Sequence, residues 1–291
     1  MTLIDLITAQ SARLKQAGVS FGHGTTNAFD EAAWLALWKL GLPLDDLDSV
    51  AARELTAAEG RAIEDWVGQR IATRQPVAYM TREAWLQGVP FYVDERVIVP
   101  RSLIAEVIAD GTLDAWLPVR TRRVLDLCTG SGSLAVLAAL AWPEVTVDAA
   151  DLSADALAVA RINIDKHHLA DRIALHQGDG LAAVARQRYD VMLCNPPYVN
   201  AASMAALPAE YRAEPALALD GNRAGGTDGM DFIRTLRRQA PIHLTEHGVL
   251  VLEIGHEWRH FDAAFPNLES VWLPTSAGED QVLLLTREAL A

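Results

Sequence analysis

Residues 124 to 142 constrain this chain more than any other stretch. Val124-Leu125-Asp126-Leu127 is a short apolar run, Gly130 and Gly132 sit in the loop behind it, and Leu134 to Trp142 is apolar over nine residues. A strand that turns through glycines directly into a helix is half of a β-α-β unit, and such units build parallel sheets with helices on their faces. The pattern then repeats. Val145 to Asp151 reads as a second strand, Asp155 to His167 as a helix capped by Ser153, Ile173 to His176 as a third strand and Tyr189 to Cys194 as a fourth. A long glycine-rich connection ends near Met230, where a helix begins, and Val249 to Ile254 is a fifth strand. Ser270 to Leu273 and Gln281 to Thr286 add two more, expected as an antiparallel hairpin on the sheet edge. The expected fold is therefore α/β, a doubly wound sheet of seven strands.

The first 82 residues have a different rhythm and are expected to form a separate helical domain. Leu3, Leu6, Ile7 and Leu14 mark an apolar stripe. Asn27 can cap a second helix through Phe29, Ala33, Trp34, Leu37 and Trp38, ended by Gly41 and Pro43. Thr56 and Glu59 fit a capping box ahead of Ile63, Trp66, Val67 and Ile71. The tryptophans are expected in the core. Residues 83–100, with Gly88 between Trp85-Leu86 and Phe91-Tyr92-Val93, then Val97-Ile98-Val99, suggest a hairpin or extended linker, and 101–291 the sheet domain.

Composition excludes several classes. No apolar run approaches the roughly 18 residues of a membrane span, and the N-terminus lacks the basic start and apolar stretch of a signal peptide. Two cysteines, Cys128 and Cys194, make no disulfide framework, so free thiols in a cytoplasmic protein are expected. A net charge of −13 argues against gripping bare DNA, whose binding draws on Lys and Arg, and suits a basic protein partner.

The glycine loop admits two cofactors. Gly130-Ser131-Gly132-Ser133-Leu134-Ala135 satisfies G-x-G-x-x-A, with Asp151 nineteen residues beyond Gly132, which is the dinucleotide pattern. Asp126 in the strand end argues instead for S-adenosylmethionine, because a carboxylate would repel a pyrophosphate but can organise a cationic amino acid. On that reading Asp126, Cys128, Thr129, Gly130 and Gly132 cradle the cofactor. Asp151 receives the ribose hydroxyls, and Asp179, in Gly178-Asp179-Gly180, receives the adenine amino group. His23 stands alone in a glycine-bounded loop, and no metal site is expected.

Asn195-Pro196-Pro197-Tyr198 closes the fourth strand, beside the first in such a sheet. Ligands bind at the carboxyl ends of those strands, so the tetrapeptide and the glycine loop are expected in one crevice. The Asn195 side chain and the Pro196 carbonyl offer two acceptors, neither proline carries an N–H, and Tyr198 offers a ring. Together they can hold a planar –NH2 by its two hydrogens. Adenine and a carboxamide both present such a group, and both remain open from these residues.

With these motifs the chain resembles the class I methyltransferases that act on the side-chain amide of protein glutamine. The resemblance spans nearly the whole chain and includes the Pro100-Arg101 pair at the start of the sheet domain. It implies a Rossmann-like fold, S-adenosylmethionine as donor, catalytic roles for Asn195, Pro196 and Tyr198, and substrate contacts from Asn195 to Tyr198. It also implies substrate recognition by the helical domain. One branch of that family modifies peptide-chain release factors and carries Pro-Arg-Pro-Asp-Thr-Glu where this chain has Pro-Arg-Ser-Leu-Ile-Ala. The other modifies large-subunit ribosomal protein number three. Phe21-Gly22-His23-Gly24-Thr25, Pro76-Val77-Ala78-Tyr79, Phe91 to Arg96, Leu207 to Arg212 and Glu214-Pro215 are similar to that branch. The implied partner is a basic ribosomal protein, free or in an assembling particle, with neither specific DNA nor a membrane involved. Cys128 stands where the family often has glycine.

Overall fold

A computed structural model describes residues 1–117 and 121–291. The chain forms two compact units, Met1–Ala84 with Pro208–Glu214, and Trp85–Leu207 with Pro215–Ala291. The stretch expected as one sheet domain, 101–291, is thus interrupted: Pro208–Glu214 groups with the helices.

In the first unit, helix Leu3–Gln16 opens on a capping box between Thr2 and Asp5, and Leu3, Leu6, Ile7 and Leu14 are fully buried. Helix Ala28–Leu40 starts at Asn27, whose side chain accepts from the amides of Phe29 and Asp30, and stops at Gly41 in the left-handed conformation. Helix Ala57–Thr73 carries the expected box between Thr56 and Glu59. These caps satisfy amides that the first turn leaves without partners. The apolar faces meet in one core that includes Leu35, Leu37, Ile63 and Val67. Trp38 departs from expectation. It is 36% exposed, and its ring stacks on Trp66 at 4.7 Å with the Lys39 ammonium over the Trp66 ring. Two flat rings on a rim cover each other and need no deeper burial.

Pro208–Glu214 joins this unit through charge. Arg70, wholly buried, donates through Nε to Glu31 (3.0 Å) and lies 3.5 Å from Glu210, which also accepts from Arg74 (3.1 Å). Glu214 lies 3.6 Å from the buried His23 ring, which packs against Tyr211. Buried charges need partners, and those of Glu210 and Glu214 lie more than a hundred residues away in sequence.

The second unit starts at Trp85, inside the hairpin strand β1 (Ala84–Leu86), which pairs with β2 (Val89–Phe91). Val97-Ile98-Val99 forms no strand, although Val97 and Val99 are buried. The main sheet contains β3 (Arg123–Leu127), β4 (Thr146–Asp151), β5 (Ile173–Gln177), β6 (Tyr189–Cys194), β7 (Leu244–Glu253), β8 (Val271–Thr275) and β9 (Gly278–Thr286). Their spatial order is β5-β4-β3-β6-β7-β9-β8. The first five run parallel, β9 pairs antiparallel with β7, and β8 antiparallel with β9. From β3 the chain winds outward to β5, then returns to β6 on the other side of β3. That reversal makes the β3/β6 border a switch point, where the loops diverge and leave a crevice. Among the described residues no helix is long and apolar enough to cross a membrane.

Candidate active site

Leu127 pairs with Cys194 in the β3/β6 register, so the loops after these two strands leave the sheet side by side. Between them lies a cleft that, with the solvent in its open mouth, encloses about 770 Å³. Cys128, Gly130, Asp151, Asp179, Asn195 and Pro197 line it together. The glycine loop and the Asn-Pro-Pro-Tyr segment therefore share one wall system, as the switch point requires.

The glycine loop is held open by its own hydrogen bonds. Gly130 has φ +55, and a Cβ built there would meet no heavy atom within 4 Å, so the missing side chain leaves clear space. Gly132 works differently: at φ +79, its Cβ would press on Ala160 at 3.1 Å, so this glycine permits helix packing. Cys128 also adopts a positive φ, 63°, which explains why glycine suits that position. The neighbouring Cys194 thiol and burial raise its pKa, keeping it a neutral thiol.

Asp126 does not line the cleft. It is 1% exposed, and its carboxyl accepts from Thr129 Oγ1 and from the Ala135 amide in the first turn of helix Ser133–Ala141. Burial pushes it up to about 7 against the pull of those bonds. Its part is to shape the loop, and Thr129 and Gly132 share it. Asp151 does face the cleft, with Oδ2 accepting from Gly130 N and Oδ1 from Ser153 N, both at 2.9 Å. Burial raises its pKa. Asp179 is exposed at the same mouth.

Of the tetrapeptide, Asn195 and Pro197 reach the cleft, whereas Pro196 is buried behind it and Tyr198 is not among the lining residues. Among the described residues none hydrogen-bonds the Asn195 carboxamide. The backbone beyond is gripped tightly. Val199 N donates to Leu219 O, Gly221 N to Val199 O, and the Asn222 side chain to Val199 O. A Cβ on Gly229 would fall 2.0 Å from the Tyr198 carbonyl oxygen.

Several lining residues carried no signal in the sequence. Leu152 follows Asp151, and Phe232 and Arg223 come from the glycine-rich connection and the helix after it. Arg96 is held by Asp94 through two hydrogen bonds, at 2.8 and 2.6 Å. Against burial, which raises it, the bonds from Arg96 and Tyr92 hold Asp94 down at about 2. Asn163, fully buried, accepts from the Tyr92 backbone amide and donates to the Tyr92 and Ser131 carbonyls, fastening the segment after the hairpin to the glycine loop. Among the described residues no cluster of His, Cys, Asp or Glu could hold a metal ion. His23, singled out by its loop, belongs to the first unit's ion cluster.

The family model for the methyltransferase small domain matches residues 110–213. A ribosomal protein uL3 glutamine methyltransferase of Bordetella pertussis is 53% identical, with 99% of this chain and 96% of that protein covered. The protein of the same description in Burkholderia pseudomallei is 53% identical over 98% of this chain and 94% of its own length. The one in Bradyrhizobium diazoefficiens is 47% identical over 97% and 89%. Among solved structures, a methyltransferase from Pyrococcus furiosus matches with a TM-score of 0.50 at 18% identity, covering 76% of this chain and 97% of that one, a likeness of fold. The residues present fit S-adenosylmethionine as donor: an open glycine at Gly130, the Asp151 carboxylate at the end of β4 with the exposed Asp179 at the mouth, and an apolar wall. Identity of this order across the whole length is kinship and not merely shared architecture. The chain is an S-adenosylmethionine-dependent methyltransferase and belongs to the family of ribosomal protein uL3 glutamine methyltransferases.

Proposed function

We propose that this protein methylates the side-chain amide of a glutamine in ribosomal protein uL3. The relatives' shared description supports that substrate. The observation that carries the site assignment is the Asn195 carboxamide, half-buried at the end of β6 in the cleft that Gly130 opens.

S-adenosylmethionine, when bound, supplies a methyl group on a sulfonium centre. Gly130, Cys128, Asp151 and Asp179 would hold it, with Asp151 receiving ribose hydroxyls on lone pairs left free by Gly130 and Ser153. The amide nitrogen of glutamine is a weak nucleophile because its lone pair is delocalised, so orientation and electrostatics must do most of the work. Asn195 Oδ1 and the Pro196 carbonyl accept the two amide hydrogens. That fixes the plane of the carboxamide and favours the positive charge that develops on nitrogen. Pro197 stiffens the backbone that presents both acceptors. Tyr198 packs at the amide plane. The methylated amide is acidic enough to lose its extra proton to water, so no dedicated base is required.

The helical unit serves to recognise the protein substrate, and the net charge of −13 suits a basic ribosomal protein, free or within an assembling particle in the cytoplasm. The same charge disfavours DNA as substrate.

Purified protein, labelled donor and recombinant uL3 test the proposal. Wild-type protein should add one methyl group to a glutamine of uL3, located by fragmentation mass spectrometry. Asn195→Ala should reduce turnover about 10²-fold or more, the scale of one lost polar contact to a reacting group. Methylation of a release factor or duplex DNA in preference to uL3, or wild-type turnover by Asn195→Ala, would reject it.

A further inference from the structure

Among the described residues two arginines, Arg96 and Arg223, line the cleft, and neither has a part in the proposed transfer. Their surroundings differ. A second groove adjoins the cleft and shares Leu152, Asp179, Gly180, Pro197, Arg223 and Phe232 with it. Arg223 therefore belongs to the half of the cleft that Asp179 marks. Arg96 borders the cleft alone, as do Cys128, Gly130 and Asn195. The cations thus sort into two halves, Arg223 with Asp179 and Arg96 with the glycine loop.

Arg96 is built into its place. Asp94, 3% exposed, grips one edge of the guanidinium: Nε donates to Oδ1 at 2.8 Å and Nη2 to Oδ2 at 2.6 Å. The Tyr92 hydroxyl donates to that Oδ2 at 2.9 Å, and the Arg96 amide to Oδ1 at 3.1 Å. Asn163 then ties Tyr92 to the Ser131 carbonyl, next to Gly130. A guanidinium presents its N–H donors in a rigid planar fork. Asp94 occupies the Nε edge, whereas Nη1 makes no hydrogen bond among the described residues, and the side chain stays 34% exposed.

The donor carries the matching group. S-adenosylmethionine has adenosine at one end and an α-amino acid at the other, whose carboxylate is its one anion. Asp151 and Asp179 suit the hydroxyl and amino donors of adenosine and would repel a carboxylate. Adenosine anchored on them sends the amino acid towards the glycine loop, the half that Arg96 borders. The rival partner for Arg96 is the carbonyl oxygen of the substrate amide. A cation there would draw the nitrogen lone pair further into the amide and slow its attack, so catalysis disfavours that pairing.

We propose that Arg96 is the carboxylate clamp of the cleft: its Nη1 end takes the carboxylate of the donor's amino acid in charge-assisted hydrogen bonds, while Asp94 fixes the angle of the fork. The inference rests on the reading that Asp151 and Asp179 receive adenosine, and it adds the residue that receives the other end.

Calorimetric titration of the full-length protein with two probes tests it. S-adenosylhomocysteine has the carboxylate; S-adenosyl-3-thiopropylamine keeps the adenosine, thioether and amine without it. Arg96→Met preserves the stem and should weaken S-adenosylhomocysteine about ten- to hundredfold, the scale of a hydrogen bond to a charged group, and the amine probe less than about threefold. Arg96→Lys keeps the charge without the fork and should fall between wild type and Arg96→Met. It decides alone should Arg96→Met fail to fold. Arg223→Met should leave the ratio of the two affinities as in wild type. Unchanged S-adenosylhomocysteine affinity in the Arg96 variants, an equal loss for both probes, or a higher KM for uL3 with donor affinity intact would overturn the proposal. So would collapse of the ratio in Arg223→Met alone. Asp151→Ala separates the two levels, since it should weaken both probes alike. If it does so while the Arg96 variants bind normally, only the clamp falls; if it spares both probes, the adenosine assignment falls and the clamp with it.

Discussion

The amide of Gly130 donates to Oδ2 of Asp151 at 2.9 Å, so the loop leaving β3 is fastened to the end of β4. The same carboxylate holds Ser153, where the helix Ala154–Lys166 starts. Asp151→Ala frees two backbone donors and should weaken S-adenosylhomocysteine binding by about 1–3 kcal/mol for the lost partner, while Asp151→Asn, with one acceptor left, should lose less. Gly130→Val should abolish binding by filling the open space, yet leave a folded protein. Calorimetric titration with circular dichroism as a folding control checks all three.

Gly229→Ala should cost far more than backbone strain. Gly225 and Gly229 both have positive φ, but a Cβ on Gly225 meets nothing, whereas one on Gly229 would strike the Tyr198 carbonyl oxygen. Gly225→Ala should therefore cost about 1–2 kcal/mol, the penalty of the left-handed conformation. Gly229→Ala should lose more than that and also slow methyl transfer, because the backbone of Tyr198 must move. Urea unfolding and turnover of the two variants, side by side, test the comparison.

Arg70→Ala should destabilise the first unit by about 3–5 kcal/mol, since it strands Glu31 and Glu210 without their buried partner. Adding Glu31→Gln to that variant should restore part of the loss. Denaturant titration read by tryptophan fluorescence checks this, with Trp34, Trp38 and Trp66 reporting on the first unit.

Stability should fall as pH rises through Asp126. Its pKa moves from 3.8 in the unfolded chain up to about 7 in the fold, because burial disfavours the charge. Between those values the native state binds a proton that the unfolded state has released, so the slope of stability against pH is negative there and vanishes above about 7. Asp126→Asn removes the titration and should flatten that segment of the curve, as urea midpoints from pH 4 to 8 would reveal.

The sheet was readable because its parallel strands are short and rich in buried apolar residues, and because Asp126 and Asp151 stand at the ends of β3 and β4. The helix caps at Asn27, Thr56 and Ser153 were readable because capping depends on neighbours in sequence. Long-range pairings were not. Asn163 reaches Tyr92 and Ser131, Glu253 reaches Ser102, and Arg70 reaches Glu31 and Glu210, all through polar residues with no periodicity to mark them. Asp126 was legible on its strand, but the turn of its carboxyl towards Thr129 and the Ala135 amide was not, because spacing says nothing of which way a side chain points. The helices Ala201–Ala206, Ala209–Arg212 and Ala216–Leu219 are too short for an apolar stripe to register. Val97 to Val99 looked like strand because buried valines favour sheets, but this buried segment takes no strand conformation.

Because Pro208–Glu214 is grouped with Met1–Ala84, the polypeptide passes from one unit to the other at three peptide bonds, after Ala84, Leu207 and Glu214. Dissection of this enzyme at a single cut is therefore ruled out by its wiring. A truncation beginning at Trp85 would still carry the orphaned heptapeptide, with Glu210 and Glu214 stripped of Arg70, Arg74 and His23 and turned out into water. Pro215, the very next residue, lines the cleft between the β3 and β6 loops. Loosening that short insert would thus begin one bond away from the cleft's own wall.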